Sequence, residues 1–204
     1  MKFSENLTSK QKEKLASAYN LAETCGYDTP HVKFVTELAL QLFDGLGEMH
    51  NMGAKERFWL VCAGLLHSIG WVNGGKNHAK KSMEMILNTS LLHLKNKERL
   101  IVGSISRYHC GEAPDLKHDH FAALQPHEQT TVTTLAALLQ VAEALDYSHK
   151  QKFTKLKVSI KKKRINILLK ANTSCSEEIK LAEDRCELLA KALDHKIRFV
   201  VKPS

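Results

Sequence analysis

The chain has 204 residues, enough for one sizeable core or for a core with a small lobe beside it. No apolar run reaches the roughly 20 residues that span a bilayer, and residues 1–6 carry no apolar leader core; a cytoplasmic protein without a membrane partner is expected. Thirty lysines and arginines against 22 carboxylates give a net charge of +8, which favours an anionic partner, and five scattered cysteines without a CxxC pair speak against a disulfide framework or a structural zinc site.

In chain order, residues 8–25 read as a first helix, capped by Thr8 or Ser9, with Leu15, Tyr19 and Ala22 on one face. A turn through Gly26 and Pro30 leads to a second helix from His31 to about residue 46. Its apolar stripe includes Val32, Val35, Leu38, Leu42 and Phe43. Residues 54–69 form a third helix, apolar nearly all round beyond Phe58 and therefore central. It ends on His67-Ser68, with Gly70 as the stop. A glycine-containing loop, residues 71–77, matches no phosphate-loop or dinucleotide pattern. Helices over residues 78–87, 96–108 and 127–147 follow, the last broadly apolar through Leu135, Leu138, Leu139, Val141 and Leu145. Residues 111–126 read as a loop or short helix. The period then changes. Leu156-Lys157-Val158-Ser159-Ile160 alternates, as does the stretch from Ile165 to Lys170, around the cationic tip Lys161-Lys162-Lys163-Arg164. A helix over residues 176–193 and a strand over 197–201 complete a small lobe. The boundary falls near residue 150, giving 1–150 as the helical domain and 151–204 as the lobe.

Polar residues at the ends of apolar helices are the candidates for chemistry. His67 sits where an imidazole is costly to bury without a partner, and His31, His78, His109 and Asp146 each lie in or beside a helical stretch. The order His, His-Asp after an apolar helix, further His, then Asp after another apolar helix is that of HD-type phosphohydrolases, with Ser68 at the aspartate position. More finely, Ala63-Gly64-Leu65-Leu66-His67-Ser68-Ile69-Gly70, Asn77-His78-Ala79-Lys80-Lys81-Ser82, Ser106-Arg107-Tyr108-His109 and residues 138–148 resemble, in that order, the C-terminal helical region of the exopolyphosphatase/guanosine pentaphosphate phosphohydrolase (Ppx/GppA) family. The resemblance covers roughly residues 12–200. It implies a mainly α fold, an HD-like helical bundle with a small C-terminal β-β-α-β lobe.

The resemblance also implies a metal site of His31, His67, position 68 and Asp146, with His78 as a further candidate. Ser68 supplies no charge to offset a dication. A weak mononuclear site from His31, His67 and Asp146 plus water is expected, and a standard binuclear site is not. In that family the phosphoryl chemistry resides in an N-terminal actin-like fold, which this chain is expected to lack. The expectation is a stand-alone domain that binds a phosphorylated anion, polyphosphate or nucleotide, over a degenerate site for a divalent transition metal, with little or no catalysis. Lys76, Lys80, Lys81 and Arg107 are the candidates for holding phosphate. Arg107 could equally pair with Glu143 or Asp146. Two alternatives stay open: a weak metal-dependent phosphohydrolase with His109 as proton donor, and a non-catalytic module for homodimerisation or protein interaction. The basic tip reads as protection of a sheet edge, and without stacking aromatics around it nucleic acid is not expected as a partner.

Overall fold

The computed structural model describes residues 7–203; residues 1–6, read above for a leader, lie outside the described residues. Among the described residues ten α-helices and three strands follow in order: α1 (Ser9–Thr24), α2 (Thr29–Gly45), α3 (Gly47–His50), α4 (Ala54–Leu66), α5 (His78–Asn88), α6 (Asn96–Arg107), α7 (Asp119–Ala122), α8 (Pro126–Leu145), β1 (Phe153–Lys161), β2 (Arg164–Ala171), α9 (Ser176–Arg185), α10 (Glu187–Leu193) and β3 (Lys196–Pro203). The fold is mainly α with a small C-terminal sheet, as the sequence indicates. Among the described residues no helix is long and apolar enough to cross a membrane.

α4 and α8 form the centre. Every residue of α4 from Phe58 to Leu66 is buried, and α8 is buried over most of its length. α2 packs closely on α4 because position 64 has no side chain: a Cβ on Gly64 would stand 2.6 Å from Thr36 Oγ1. Gly70 does more than stop a helix. It lies in a 3-10 turn, Ile69–Asn73, pressed against the start of α5, where a Cβ would meet the His78 carbonyl at 2.2 Å. Buried Ser82 bridges the two segments. Its hydroxyl donates to the His67 carbonyl (2.7 Å) and accepts from the Gly70 N–H (2.9 Å). The end of α4 is thus fixed to the beginning of α5, and with it two histidines.

In the lobe, β1 and β2 pair antiparallel, and β2 pairs parallel with β3 through the α9–α10 crossover. The helix expected over residues 176–193 is broken at Cys186. There the thiol takes the Glu183 carbonyl (3.2 Å), which an unbroken helix would give to the Glu187 N–H. The helix expected from His31 starts two residues earlier, because Asp28 caps it by accepting from the His31 N–H (3.3 Å) and Pro30 suits its first turn. One contiguous apolar cluster runs from Leu15 through the bundle to Phe199 of the lobe.

A candidate metal centre

Three elements bring His31, His67 and Glu143 together. His31 stands in the first turn of α2, His67 caps the C-terminus of α4, and Glu143 is in the last turn of α8. His67 is fully buried, and its Nδ1–H donates to the Gly64 carbonyl (2.6 Å). The Nδ1–H of His31 donates to Asp146 Oδ2 (2.9 Å). Each ring therefore turns Nε2 toward Glu143 Oε2, at 3.2 Å from His31 and 3.1 Å from His67. His67 Nε2 and Glu143 Oε2 are buried with no hydrogen bond of adequate geometry. Two imidazole nitrogens and one carboxylate oxygen converge on a common point, which is the donor set of a divalent metal site.

Burial alone would push the His31 pKa down, but its bonds to Asp146 and Glu143 raise it to about 9. Burial alone would raise the Glu143 carboxyl; His67, His31 and His109 together hold it well below the usual carboxylate range. Without a metal, the proton on His31 is the cation of this cluster. Asp146 sits one step back. Its oxygens take His31 Nδ1, the Gln151 N–H (2.8 Å) and the Gln151 side-chain amide (3.1 Å). It orients the His31 ring, as a carboxylate behind a metal-binding histidine would. The ring of His149 stacks on His31 at 3.7 Å and donates from Nδ1 to Asp28 (2.8 Å), closing that side.

A second cluster adjoins the first: the His109 ring lies 4.8 Å from that of His67. His109 follows α6, with Nδ1–H donating to the Ser106 carbonyl (2.6 Å), and His78 opens α5, with Nδ1–H donating to the Gly75 carbonyl (3.2 Å). Their Nε2 atoms face each other at 3.0 Å, with Cys110 Sγ at 3.1 Å from one and 3.3 Å from the other. Both Nδ1 atoms carry the proton, so both Nε2 atoms present lone pairs, and one thiol proton serves only one of them. Burial, then the neighbouring His67, lowers His109 to about 3; burial lowers His78; burial, then Glu143, raises the Cys110 thiol to about 11. These three donors also suit a metal ion.

Both clusters open on a cavity of about 510 Å³, whose wall includes Tyr27, Ser68, Trp71, Tyr147 and Arg185. Ser68 is half-buried on that wall and belongs to neither donor set. Of the residues expected to hold phosphate, none lines this cavity. Arg107 pairs with Glu112 at 2.6 Å, not with Glu143 or Asp146. Lys80 lies along the exposed side of α5 at 4.0 Å from Glu84, Lys81 donates to the Gly74 carbonyl (3.4 Å), and Lys76 is exposed in the loop. Among the described residues Arg185 is the cavity's only lysine or arginine.

Sequence reasoning did not single out Glu143, Cys110 or Arg185 for the site. A signal for Glu143 existed: Gln140, Glu143 and Asp146 recur every third residue in an otherwise apolar helix, so they share a face. Gln140 uses that face structurally, donating to the carbonyls of Tyr108 (2.7 Å) and Glu112 (2.9 Å) and holding the segment that carries His109.

Residues 14–194 match the family model described as Ppx/GppA phosphatase, domain III. The chain belongs to the Ppx/GppA phosphatase family. No curated protein matches it. Within the Ppx/GppA frame, the match takes in both donor clusters and stops at residue 194, before β3.

Proposed function

We propose that this Ppx/GppA domain is a metal-dependent phosphohydrolase unit of the HD type, acting on a phosphorylated small molecule in the cavity beside His31, His67 and Glu143. One observation carries the reading. Among the described residues, buried His67 Nε2 and Glu143 Oε2 make no hydrogen bond of adequate geometry, although they stand 3.1 Å apart and face the same place. Leaving such atoms unsatisfied costs about 1–3 kcal/mol each, and a metal ion removes that cost. A dication held there would polarise a phosphoryl oxygen and lower the pKa of a water.

The chain's own residues do the rest. Asp146 keeps the proton of His31 on Nδ1, so that Nε2 is free to donate its lone pair. The Gly64 carbonyl does the same for His67. Arg185 lines the cavity, and we assign it the phosphate, which a guanidinium can hold by two parallel hydrogen bonds. His109, with its pKa near 3, is a neutral lone-pair donor at physiological pH; we assign it to a second metal with His78 and Cys110, where the thiolate makes up for the missing carboxylate at position 68. Ser68 lines the cavity and carries no charge, so position 68 would offer no carboxylate to be shared between two ions. That absence favours a second reading, in which the domain holds a phosphorylated anion without turning it over.

Metal analysis of protein purified without added metal or chelator tests the proposal. Up to two transition-metal ions per chain are expected, with at least one lost in His67→Ala. A metal-free protein that also takes up none from zinc, manganese or cobalt solutions would overturn it. Metal present without hydrolysis of any phosphomonoester, nucleotide or polyphosphate would leave the binding reading standing.

A further inference from the structure

The whole of the net charge can be placed on one surface. In β1 and β2, Lys155 faces Lys170, Lys157 faces Leu168, Ser159 faces Asn166 and Lys161 faces Arg164. In the parallel pair, Arg164 faces Lys196, Asn166 faces Arg198, Leu168 faces Val200 and Lys170 faces Lys202. Strand alternation puts all of these on one face of the sheet. The other face carries Leu156, Ile165, Ile167, Leu169 and Phe199, which are buried in the core. Among the described residues the outward face therefore has eight lysines and arginines, every one exposed, and no carboxylate. The remaining 22 basic residues of the chain equal its 22 acidic ones. Among the described residues none of the eight is in an ion pair, whereas neighbouring Lys163 is held by Asp194 at 2.5 Å.

The charges are also ordered. Lys155, Lys157 and Lys161 form a row on β1, and Lys196, Arg198 and Lys202 form a row on β3. The middle strand lies between them with the uncharged Asn166 and Leu168 at its centre. Two strand spacings of about 4.8 Å set the rows about 10 Å apart, and each extends roughly 20 Å. A single flexible phosphate thread needs one row. Two cationic rows, with Arg164 and Lys170 at the two ends of the strand between them, offer contacts to the phosphate backbones on both sides of a duplex groove, which is about 6 Å or 12 Å wide.

We infer that the outer face of the β1–β2–β3 sheet is a docking surface for double-stranded nucleic acid, bound through its backbone and without sequence preference. This inference is independent of the metal centre. The face carries no aromatic ring, which argues against stacked single-strand bases but is irrelevant to a duplex held by its phosphates.

Fluorescence anisotropy of the full chain with a labelled 20-base-pair duplex, in DNA and RNA versions, is the test. The comparison ligands are the single strand, unlabelled polyphosphate as competitor at equal phosphate, and vesicles containing phosphatidylserine. Duplex binding is expected, with log K falling linearly in log salt. Replacing one cation in each row (Lys157→Ala with Arg198→Ala) should reduce that slope by about 2. Lys10→Ala with Lys12→Ala, on α1, should leave it unchanged. The inference fails if the duplex does not bind at low salt, if polyphosphate, single strand or vesicles bind as tightly, or if the α1 substitutions weaken binding as much as those on the sheet.

Discussion

Two inward-facing carboxylates, the half-buried Glu143 of α8 with its Oε2 enclosed and the fully buried Glu178 of α9, sit in different electrostatic company. Glu178 is fully buried and has its own permanent cation, Lys152 Nζ, at 2.7 Å, with the Ser148 hydroxyl donating at 2.5 Å. Among the described residues Glu143 has no lysine or arginine partner; its neighbours are the imidazoles of His31 and His67. A buried carboxylate that keeps a lysine is complete as it stands. One that faces only imidazole nitrogens, each with its other nitrogen already tied to an acceptor, is complete only with a proton or a metal. Glu178 thus belongs to the joint between lobe and bundle, and Glu143 to the chemistry.

The largest expected effect that separates them is on stability. Lys152→Met leaves Glu178 buried and unpaired and should cost about 3–5 kcal/mol in denaturant unfolding, with metal content per folded chain unchanged. Glu143→Gln should do the reverse: metal affinity falls by more than about 100-fold, beyond the loss typical of an outer partner, while the midpoint of the metal-free protein shifts less than in Lys152→Met. Equal destabilisation by both would mean that Glu143 is a structural residue too. Asp146→Asn should be milder. It leaves His31 in place but weakens its orientation, and a titration with zinc should show affinity lower by about 10–100-fold. Cys110→Ser sharpens the contrast within the site: it should abolish the near-ultraviolet thiolate absorption of the cobalt-loaded protein and spare the ion at His31, His67 and Glu143.

The smallest effect is in the pH dependence of stability. Burial opposes ionisation of Glu178, but Lys152 and Ser148 prevail and lower its pKa below the ordinary 4.5. A depressed folded pKa contributes stability that is fully present above the unfolded value and is lost as pH falls through the folded one. The wild-type protein should therefore lose stability more steeply below pH 4.5 than Glu178→Gln, as read from urea midpoints between pH 3 and 6. Parallel curves would show that the pair contributes nothing specific.

Much of this was legible in the sequence because it rests on periodicity. The helices of the bundle, the β-hairpin and the returning strand follow apolar spacing, and His31 and His67 stand at the start of α2 and the end of α4. What was not legible depends on atoms rather than order. Asp146 was expected as a ligand, but the structure puts its oxygens on His31 Nδ1 and Gln151, and puts Glu143, one turn earlier on the same face, at the Nε2 atoms. Cys110 looked like one of five scattered thiols until α5 and α6 brought His78 beside it. Lys161 to Arg164 stood out as a run, yet the larger charge pattern alternates with core residues along three strands, and only their register reveals it.

Anomalous diffraction at the absorption edge of whatever metal copurifies, from crystals grown without chelator, would test the central claim most directly. The account predicts a peak between His31 Nε2, His67 Nε2 and Glu143 Oε2, with Asp146 outside the coordination sphere. Metal density elsewhere in the molecule, and none between those three residues, would contradict it.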